Sequence, residues 1–116
     1  MSGTKLSLVE HQCLFLLDVG KLLNYAANLG IMLTGGELYR TKEQQELYVK
    51  QGKSRTTDSN HMRRLAIDLN AFRDGVLLSA KEMEPLGDYW ESLHPLNRWG
   101  GRFKGLVDGV HFERNV

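Results

Sequence analysis

The residues that could bind a metal ion are concentrated in two short segments of the chain. The first contains His61 and, seven positions later, Asp68; the second contains Asp108 and His111. Histidine and carboxylate side chains are common ligands of catalytic zinc, which takes three protein ligands and keeps a fourth position for water. The chain has only one cysteine, so a zinc site made of cysteines is excluded, as is an internal disulfide.

The seven-residue separation of His61 and Asp68 constrains the backbone between them. In a straight strand the two residues would lie about 23 Å apart, and on a helix about 10 Å apart. Neither distance lets both side chains bind one ion. The spacing therefore predicts that the chain reverses between His61 and Asp68.

The three-residue separation of Asp108 and His111 suggests a different use. If His111 binds the metal, a nearby carboxylate can reach the metal-bound water without being a ligand. Zinc lowers the pKa of such a water to about 7, and a positioned carboxylate can then take its proton. Asp108 lies at a predicted turn before the strand that carries His111, which makes this reach feasible.

Taken singly, each of these residues also has an ordinary structural interpretation. Asp68 can be a surface carboxylate, and His61 can be a surface residue of a polar loop. Asp108 precedes a glycine in a common turn signal. The side chain of His111 points away from its two apolar neighbours, toward either a site or solvent. No single spacing decides between these alternatives.

Taken together, three segments resemble the M15 family of zinc peptidases, which cut bacterial cell-wall peptides. The family includes D-alanyl-D-alanine carboxypeptidases and phage endolysins that act as L-alanyl-D-glutamate endopeptidases. Its signature Ser-x-His-x-x-Gly-x-Ala-x-Asp aligns with residues 59–68, and its acidic-x-x-His-aromatic-Glu pattern aligns with residues 108–113. Residues 38–45 resemble the family's Tyr-Arg segment with a later Gln. The resemblance extends from about Leu14 to the last residue.

The resemblance implies a role for each matching residue. His61, Asp68 and His111 would bind Zn²⁺. Asp108 would be the general base that activates water and then returns a proton to the leaving amine. Arg40 would bind the scissile carbonyl or the developing oxyanion, although a salt-bridging surface arginine is the alternative. No covalent intermediate is implied.

The resemblance implies less specific roles for residues that would support the ligands and Arg40. Ser59 would hold the turn that bears His61 or contact the substrate, and Gln44 or Gln45 would support Arg40. Glu113 would be either a partner of a ligand histidine or an exposed carboxylate near the end of the chain.

The two remaining histidines, His11 and His94, are interpreted as structural or exposed, and Cys13 has no catalytic role. The chain departs from the family signature at Arg64, which stands where the signature has glycine. We expect the turn there to be made with ordinary dihedral angles, because a side chain disfavours positive φ.

The elements that must position these residues follow from capping and periodicity. Ser7 and Glu10 form a capping box that opens a helix ending before Gly30. Residues 31–34 predict a short buried strand, and residues 41–51 a second helix that begins with another capping box. The segment 53–60 is polar and aperiodic, which indicates a loop.

The second half of the chain predicts strands separated by one helix. From Leu65 the apolar residues alternate with Ala66, Asp68 and Asn70, as in a strand. Residues 73–75 predict a turn into residues 76–78, and residues 83–93 a helix with Pro85 in its first turn. Glycine-rich turns then lead to a last short strand. The predicted fold is α+β: a short, mostly antiparallel sheet with helices packed on one side.

Composition excludes several classes of protein. The 116 residues, 41% apolar and 25% charged, predict one domain over 1–116 with no separate wall-binding domain. No apolar run approaches the ~20 residues that span a membrane, and the N-terminus lacks the apolar stretch of a secretion signal. A net charge of +1 argues against a nucleic-acid binder. Residues 50–64 are locally basic, which suits either an anionic substrate or a solvated loop.

The resemblance therefore predicts a Zn²⁺-dependent hydrolase of peptidoglycan stem peptides, foremost an L-alanyl-D-glutamate endopeptidase of phage endolysin type. The first alternative is a D-alanyl-D-alanine carboxypeptidase, for whose substrate carboxylate Arg55 and Arg63 are candidates. The second is a non-catalytic wall-binding or phage structural module. We expect a monomer without stable membrane association. It would be made in the cytoplasm and reach the wall through a separate pore or in a phage particle.

Overall fold

The computed structural model describes residues 5–116. Three helices and five strands alternate irregularly along the chain, joined by short 3-10 turns at Asn60–Arg63, Lys81–Met83 and Gly100–Arg102. The helices and strands, in chain order, are α1 Leu8–Asn28, β1 Met32–Gly35, α2 Lys42–Lys50, β2 Ala66–Arg73, β3 Val76–Leu77, α3 Glu84–Leu93, β4 Asn97–Trp99 and β5 His111–Arg114.

The five strands form one antiparallel sheet. Its order is β1-β2-β5-β4, and β3 pairs with β2 as the second arm of a hairpin. The hairpin turn at Asp74 and Gly75 has positive φ at both residues, which matches the twist of the paired strands. Helices α1 and α3 share one hydrophobic core with the sheet, so the predicted α+β fold is confirmed.

Helix α1 begins and ends where its capping residues predict. The Ser7 hydroxyl accepts the Glu10 backbone N–H, and the Glu10 carboxylate accepts the Ser7 N–H in return. Gly30 follows the helix with a φ of +74°. The buried face includes Phe15, whose ring packs edge-to-face on Trp90 of α3 with centroids 5.5 Å apart. Such a pair stabilises the core beyond its buried area.

Two strand predictions need correction. The segment after α1 was expected to be a buried strand, but β1 is largely exposed, with Met32 at 72%; the buried residue is Ile31, just before it. Because β1 pairs only with β2, it lies at the sheet edge, where an apolar sequence does not ensure burial. Strand β4 was not predicted, because three residues between two turns carry no recognisable periodicity.

The chain reverses between His61 and Asp68, as the spacing predicts. The expectation of ordinary dihedral angles is wrong, however, because Arg64 adopts the left-handed conformation with φ 57° and ψ 37°. Its backbone N–H donates to the carbonyls of the preceding turn, and its guanidinium stacks on the Tyr39 ring, 4.3 Å from the centroid. A cation–π contact of this kind offsets part of the backbone strain.

Within residues 5–116, none of the helices combines the length and the apolar character needed to cross a bilayer.

Candidate active site

His61 is held by the 3-10 turn that precedes β2. The Ser59 hydroxyl caps this turn by accepting the His61 backbone N–H at 3.2 Å. The ring is almost fully buried, and its Nδ1 lies 3.0 Å from the Leu38 carbonyl oxygen. A carbonyl can only accept, so Nδ1 carries the proton and Nε2 keeps its lone pair. That lone pair is then available to a metal ion.

Asp68 and His111 are brought together by the pairing of β2 and β5. They are directly opposed residues in the antiparallel register. Asp68 Oδ1 lies 3.5 Å from His111 Nδ1 and 3.3 Å from His61 Nε2. One donor atom from each of the three residues lies within 4.8 Å of the other two. The three ligands expected from the sequence therefore converge.

The three donor atoms suit a divalent metal ion. Two of them, His61 Nε2 and Asp68 Oδ1, are buried side-chain atoms without a hydrogen-bond partner. Buried polar atoms are rarely unpartnered in folded proteins, so each such atom calls for an explanation. Two imidazole nitrogens and one carboxylate oxygen make a ligand set that catalytic zinc uses. A bound Zn²⁺ would satisfy both unpartnered atoms.

The far side of the His111 ring is fixed by Glu113. His111 Nε2 lies 2.7 Å from Glu113 Oε1, and the Glu113 side chain is buried. Arg98 of β4 in turn donates from Nε to the second oxygen of Glu113 at 2.7 Å. Glu113 is therefore a buried partner of His111, and the alternative of an exposed carboxylate is wrong. Arg98 was missed, because β4 was not predicted.

The carboxylates around His111 favour positive charge on its ring. Burial alone would lower the pKa of His111, but Asp68, Glu113 and Asp108 together raise that pKa to about 9. Burial likewise raises the pKa of Asp68, but the adjacent rings of His111 and His61 more than offset this and lower the pKa to about 2. The site is thus built to hold a cation, either a proton or a metal ion.

Asp108 lies beside the three donor atoms without being one of them. Its Oδ2 is 3.9 Å from His111 Nδ1, and 49% of its side chain is exposed to the cleft. Burial of the remainder and the charge of Asp68 raise the pKa of the Asp108 carboxyl, although His111 opposes this. A carboxylate with a raised pKa is a better proton acceptor than an ordinary surface aspartate.

Gly100 permits the turn that brings Asp108 to His111. The Asp108 N–H donates to the Gly100 carbonyl at 2.9 Å, and the His111 N–H donates to the Asp108 carbonyl at 3.0 Å. A Cβ on Gly100 would lie 2.1 Å from the Asp108 carbonyl oxygen and 2.9 Å from His111 Cβ. Sequence reasoning did not identify this residue; the Gly-Gly pair after Trp99 was its signal.

Arg40 is a mostly buried side chain that pairs with Glu37, so the alternative of a surface arginine is wrong in its placement and right in its ion pair. Its Nε donates to Glu37 Oε1 at 2.7 Å, and Nη1 donates to Gln45 Oε1 at 2.8 Å. The guanidinium also lies 4.7 Å from the centre of the Tyr48 ring. These contacts hold Arg40 in one orientation; Glu37 was not identified from the sequence.

Of the two glutamines considered as supports for Arg40, Gln45 makes the contact. Gln45 is fully buried, and its amide nitrogen donates to the Thr56 carbonyl at 2.6 Å. Gln44 instead donates its backbone N–H to the Thr41 hydroxyl at the start of α2. No side-chain hydrogen bond of Gln44 occurs within residues 5–116.

His11 and His94 lie away from these residues, in a buried polar cluster around Arg114. Arg114 Nε donates to His11 Nδ1 at 3.0 Å, and Arg114 Nη2 lies 3.1 Å from His94 Nε2. Asp18 is 3.9 Å from the same guanidinium. This agrees with the structural interpretation of the two histidines.

The candidate site opens into a cleft of about 790 Å³. One wall is the loop 53–59, and the opposite wall is formed by residues 103–108. His61, Asp68, His111, Asp108 and Arg40 all line this cleft. The residues predicted to do chemistry therefore face one common space that is large enough for a peptide segment.

This chain is similar to a known protein family in sequence and to a solved structure in fold. A family model described as D-alanyl-D-alanine carboxypeptidase, Peptidase_M15_4, matches residues 52–114, which is more than half of the chain. The fold is similar to the crystal structure of the Serratia marcescens L-Ala D-Glu endopeptidase ChiX. The TM-score is 0.73 at 24% identity, over 87% of this chain and 77% of that chain. No curated protein matches the chain.

Proposed function

Because the chain belongs to the M15_4 family of peptidases, we propose that it is a Zn²⁺-dependent hydrolase of peptidoglycan stem peptides. The observation that carries the proposal is the convergence of His61 Nε2, Asp68 Oδ1 and His111 Nδ1 at one end of an open cleft. These three atoms would hold the ion. When bound there, Zn²⁺ would supply Lewis acidity, which polarises a carbonyl and lowers the pKa of water.

The surrounding residues orient the two histidines before a substrate arrives. The Leu38 carbonyl fixes the tautomer of His61, and the Glu113 carboxylate fixes the ring of His111. Each ring therefore presents one lone pair to the ion. Such partners increase ligand basicity and limit rotation of the ring.

Asp108 is proposed as the general base. It lies beside His111 on the open side of the site, and burial raises its pKa. Its carboxylate takes a proton from the attacking water and then gives that proton to the leaving amine, so the residue ends the cycle unchanged. Within residues 5–116, no other carboxylate near the three donor atoms is both half exposed and free of an arginine partner.

Arg40 is proposed to bind the oxygen of the scissile carbonyl. Glu37 and Gln45 engage three of its five N–H groups, which leaves two for the substrate. The same contacts hold the guanidinium against Tyr48, so little conformational freedom is lost when charge develops on that oxygen.

The bond that we propose is cleaved is L-alanyl-D-glutamate. The similar fold of the Serratia marcescens L-Ala D-Glu endopeptidase supports this choice. The second candidate is D-alanyl-D-alanine carboxypeptidase activity, which the description of the family model favours. Both candidates use the same residues and differ in where the substrate lies.

Mass spectrometry of defined muropeptides incubated with the zinc-loaded protein tests the proposal. Cleavage after L-alanine supports the endopeptidase, and release of free D-alanine supports the carboxypeptidase. No cleavage by a protein that contains one zinc ion per chain would instead favour a non-catalytic wall-binding module.

We further propose that the protein acts as a phage endolysin and works as a monomer. In this proposal the protein reaches the wall by one of two routes. It remains in the cytoplasm until a separate pore releases it, or it arrives in a phage particle. Expression in a bacterial host with and without a pore-forming partner tests the first route. Lysis that needs both proteins supports it, and lysis by the enzyme alone contradicts it.

A further inference from the structure

Three basic residues in the cleft have no acidic partner within residues 5–116. They are Lys53, Arg55 and Lys104. The other basic residues that line the cleft are paired: Arg40 with Glu37, Arg63 with Asp58, and Arg98 with Glu113. The two remaining acidic residues of the cleft, Asp68 and Asp108, face the histidines. The positive charges of Lys53, Arg55 and Lys104 are therefore not paired with an acidic side chain in the described part of the chain.

Arg55 connects the two walls of the cleft. Arg55 Nη1 occupies the space that a side chain on Gly105 would need. A Cβ added to Gly105 would lie only 2.5 Å from this nitrogen. Gly105 has a φ of +89°, a conformation that favours glycine. The guanidinium therefore rests on the backbone of the opposite wall, next to Lys104, instead of on a carboxylate.

Lys53 lies on the Arg40 side of the same cleft. Its Nζ is 5.8 Å from the centre of the Tyr48 ring, which also packs on the Arg40 guanidinium. Lys53 is thus connected to the residue proposed to bind the scissile carbonyl through one shared aromatic ring. A group that binds Lys53 would lie close to the bond that is cut.

We propose that Lys53, Arg55 and Lys104 form a carboxylate-binding subsite that selects stem peptides with a free carboxylate near the scissile bond. The inference rests on the proposed function. Peptidoglycan stem peptides offer two such groups: the α-carboxylate of a γ-linked D-glutamate, and the terminal carboxylate of D-alanine. Charge-assisted hydrogen bonds from lysine and arginine recognise either group and do not recognise its amide. Arg63, an earlier candidate for this role, is engaged by Asp58.

Binding of matched peptides tests the subsite without requiring cleavage. The protein is the zinc-loaded Asp108→Ala variant, and the probe is the tetrapeptide L-Ala-γ-D-Glu-L-Lys-D-Ala. One analogue carries an amide at the α-carboxyl of D-glutamate, and another an amide at the C-terminus. We expect one analogue to bind about tenfold more weakly than the parent, and its identity shows which carboxylate is bound.

Charge-removing substitutions connect this preference to the three residues. In the triple variant K53Q/R55Q/K104Q the preference for the carboxylate should fall to about twofold or less. The control variant R73Q/K81Q removes two exposed charges outside the cleft and should keep the preference. Added salt should weaken binding of the parent peptide to the control more than to the triple variant.

The outcomes separate this inference from the proposed function. Equal binding of the parent peptide and both analogues overturns the subsite even if the wild-type enzyme cleaves muropeptides. A preference that persists in the triple variant overturns the assignment of the three residues. If the wild-type enzyme cleaves nothing, the proposed function fails, whereas a preference that is lost only in the triple variant still supports the subsite.

Discussion

Asp68 and His111 occupy directly opposed positions on β2 and β5, with Asp68 Oδ1 3.5 Å from His111 Nδ1. Two residues that are 43 positions apart in sequence are thus held by the hydrogen bonds of the sheet and not by a flexible loop. The third donor, His61, comes from a turn capped by Ser59. A site built on strands keeps its geometry when no ion is bound, so loss of one side chain should affect metal binding more than folding.

The first prediction separates metal binding from proton transfer. Asp108→Ala should keep one zinc ion per chain but lower the cleavage rate by about 10²–10⁴-fold, because it removes only the general base. His111→Ala should lose zinc as well, because it removes a ligand. Elemental analysis and muropeptide cleavage measure the two effects. Cleavage by Asp108→Ala at near the wild-type rate would show that another group takes the proton.

The second prediction concerns Glu113. Glu113→Gln should weaken zinc affinity by about 10–100-fold, because an amide holds the His111 ring less firmly and lowers its basicity. Competition with a chelator measures the affinity. The control is Glu46→Gln, an exposed glutamate of α2 that does not line the cleft. Equal affinities of the two variants would mean that Glu113 does not act through His111.

The third prediction is that Gly100→Ala disrupts the turn between β4 and β5. The added methyl group would overlap the Asp108 carbonyl oxygen, which is backbone and cannot rotate away. We expect a loss of about 1–3 kcal/mol in the free energy of unfolding, together with weaker zinc binding. Denaturant unfolding of the metal-free protein measures the first effect.

Gly20→Ala is the matched control for Gly100→Ala. Gly20 lies inside α1, where a Cβ meets no atom within 4 Å. The same substitution should therefore stabilise the protein by about 0.5–1 kcal/mol through helix propensity. If both variants were equally stable, the turn at Gly100 would be more adaptable than its contacts indicate.

The sequence predicted which residues come together in the cleft better than it predicted the path of the backbone around them. Residue types and spacing made His61, Asp68 and His111 candidates, and the resemblance to the family signatures implied that they act as ligands. The fold brings their donor atoms together. Capping residues likewise located the starts of α1 and α2, since they are local signals, although the predicted box is complete only at α1 and α2 has the Thr41 cap alone. Strand β4 was missed and the burial of β1 was misjudged, because both depend on which strands pair, and three or four residues do not encode a partner.

Contacts between distant segments were the least predictable part of the site. Glu37 and Arg98 are ordinary charged residues in the sequence, and their roles follow from being next to Arg40 and Glu113 in the fold. Arg64 shows the opposite problem. Its type argued against a left-handed conformation, but the reversal before β2 requires that conformation.

The fourth prediction measures the strain at Arg64. Arg64→Gly and Arg64→Ala both remove the stacking on Tyr39, so their difference reports on the backbone alone. The glycine variant should be more stable than the alanine variant by about 1 kcal/mol, because alanine is strained at a φ of 57°. Urea unfolding of both variants measures this difference. Equal stabilities would show that the turn relaxes to ordinary dihedral angles.

The fifth prediction concerns the buried cluster around Arg114. Burial and the charge of Arg114 lower the pKa of both His11 and His94, although Glu10 opposes this at His11 and Asp18 opposes it at His94. The unfolded chain therefore binds protons at these positions more readily than the folded chain does. The stability that these two histidines contribute should fall as the pH drops below the ordinary histidine pKa of about 6.5.

Replacing both histidines with glutamine removes this contribution and keeps a group that can accept from Arg114. Between pH 7 and pH 5 the free energy of unfolding should fall less steeply in H11Q/H94Q than in the wild type. Groups present in both proteins, including the residues of the proposed zinc site, cancel in the difference. Urea unfolding at several pH values gives the two curves. Parallel curves would mean that the two histidines take up protons as easily in the fold as in the unfolded chain.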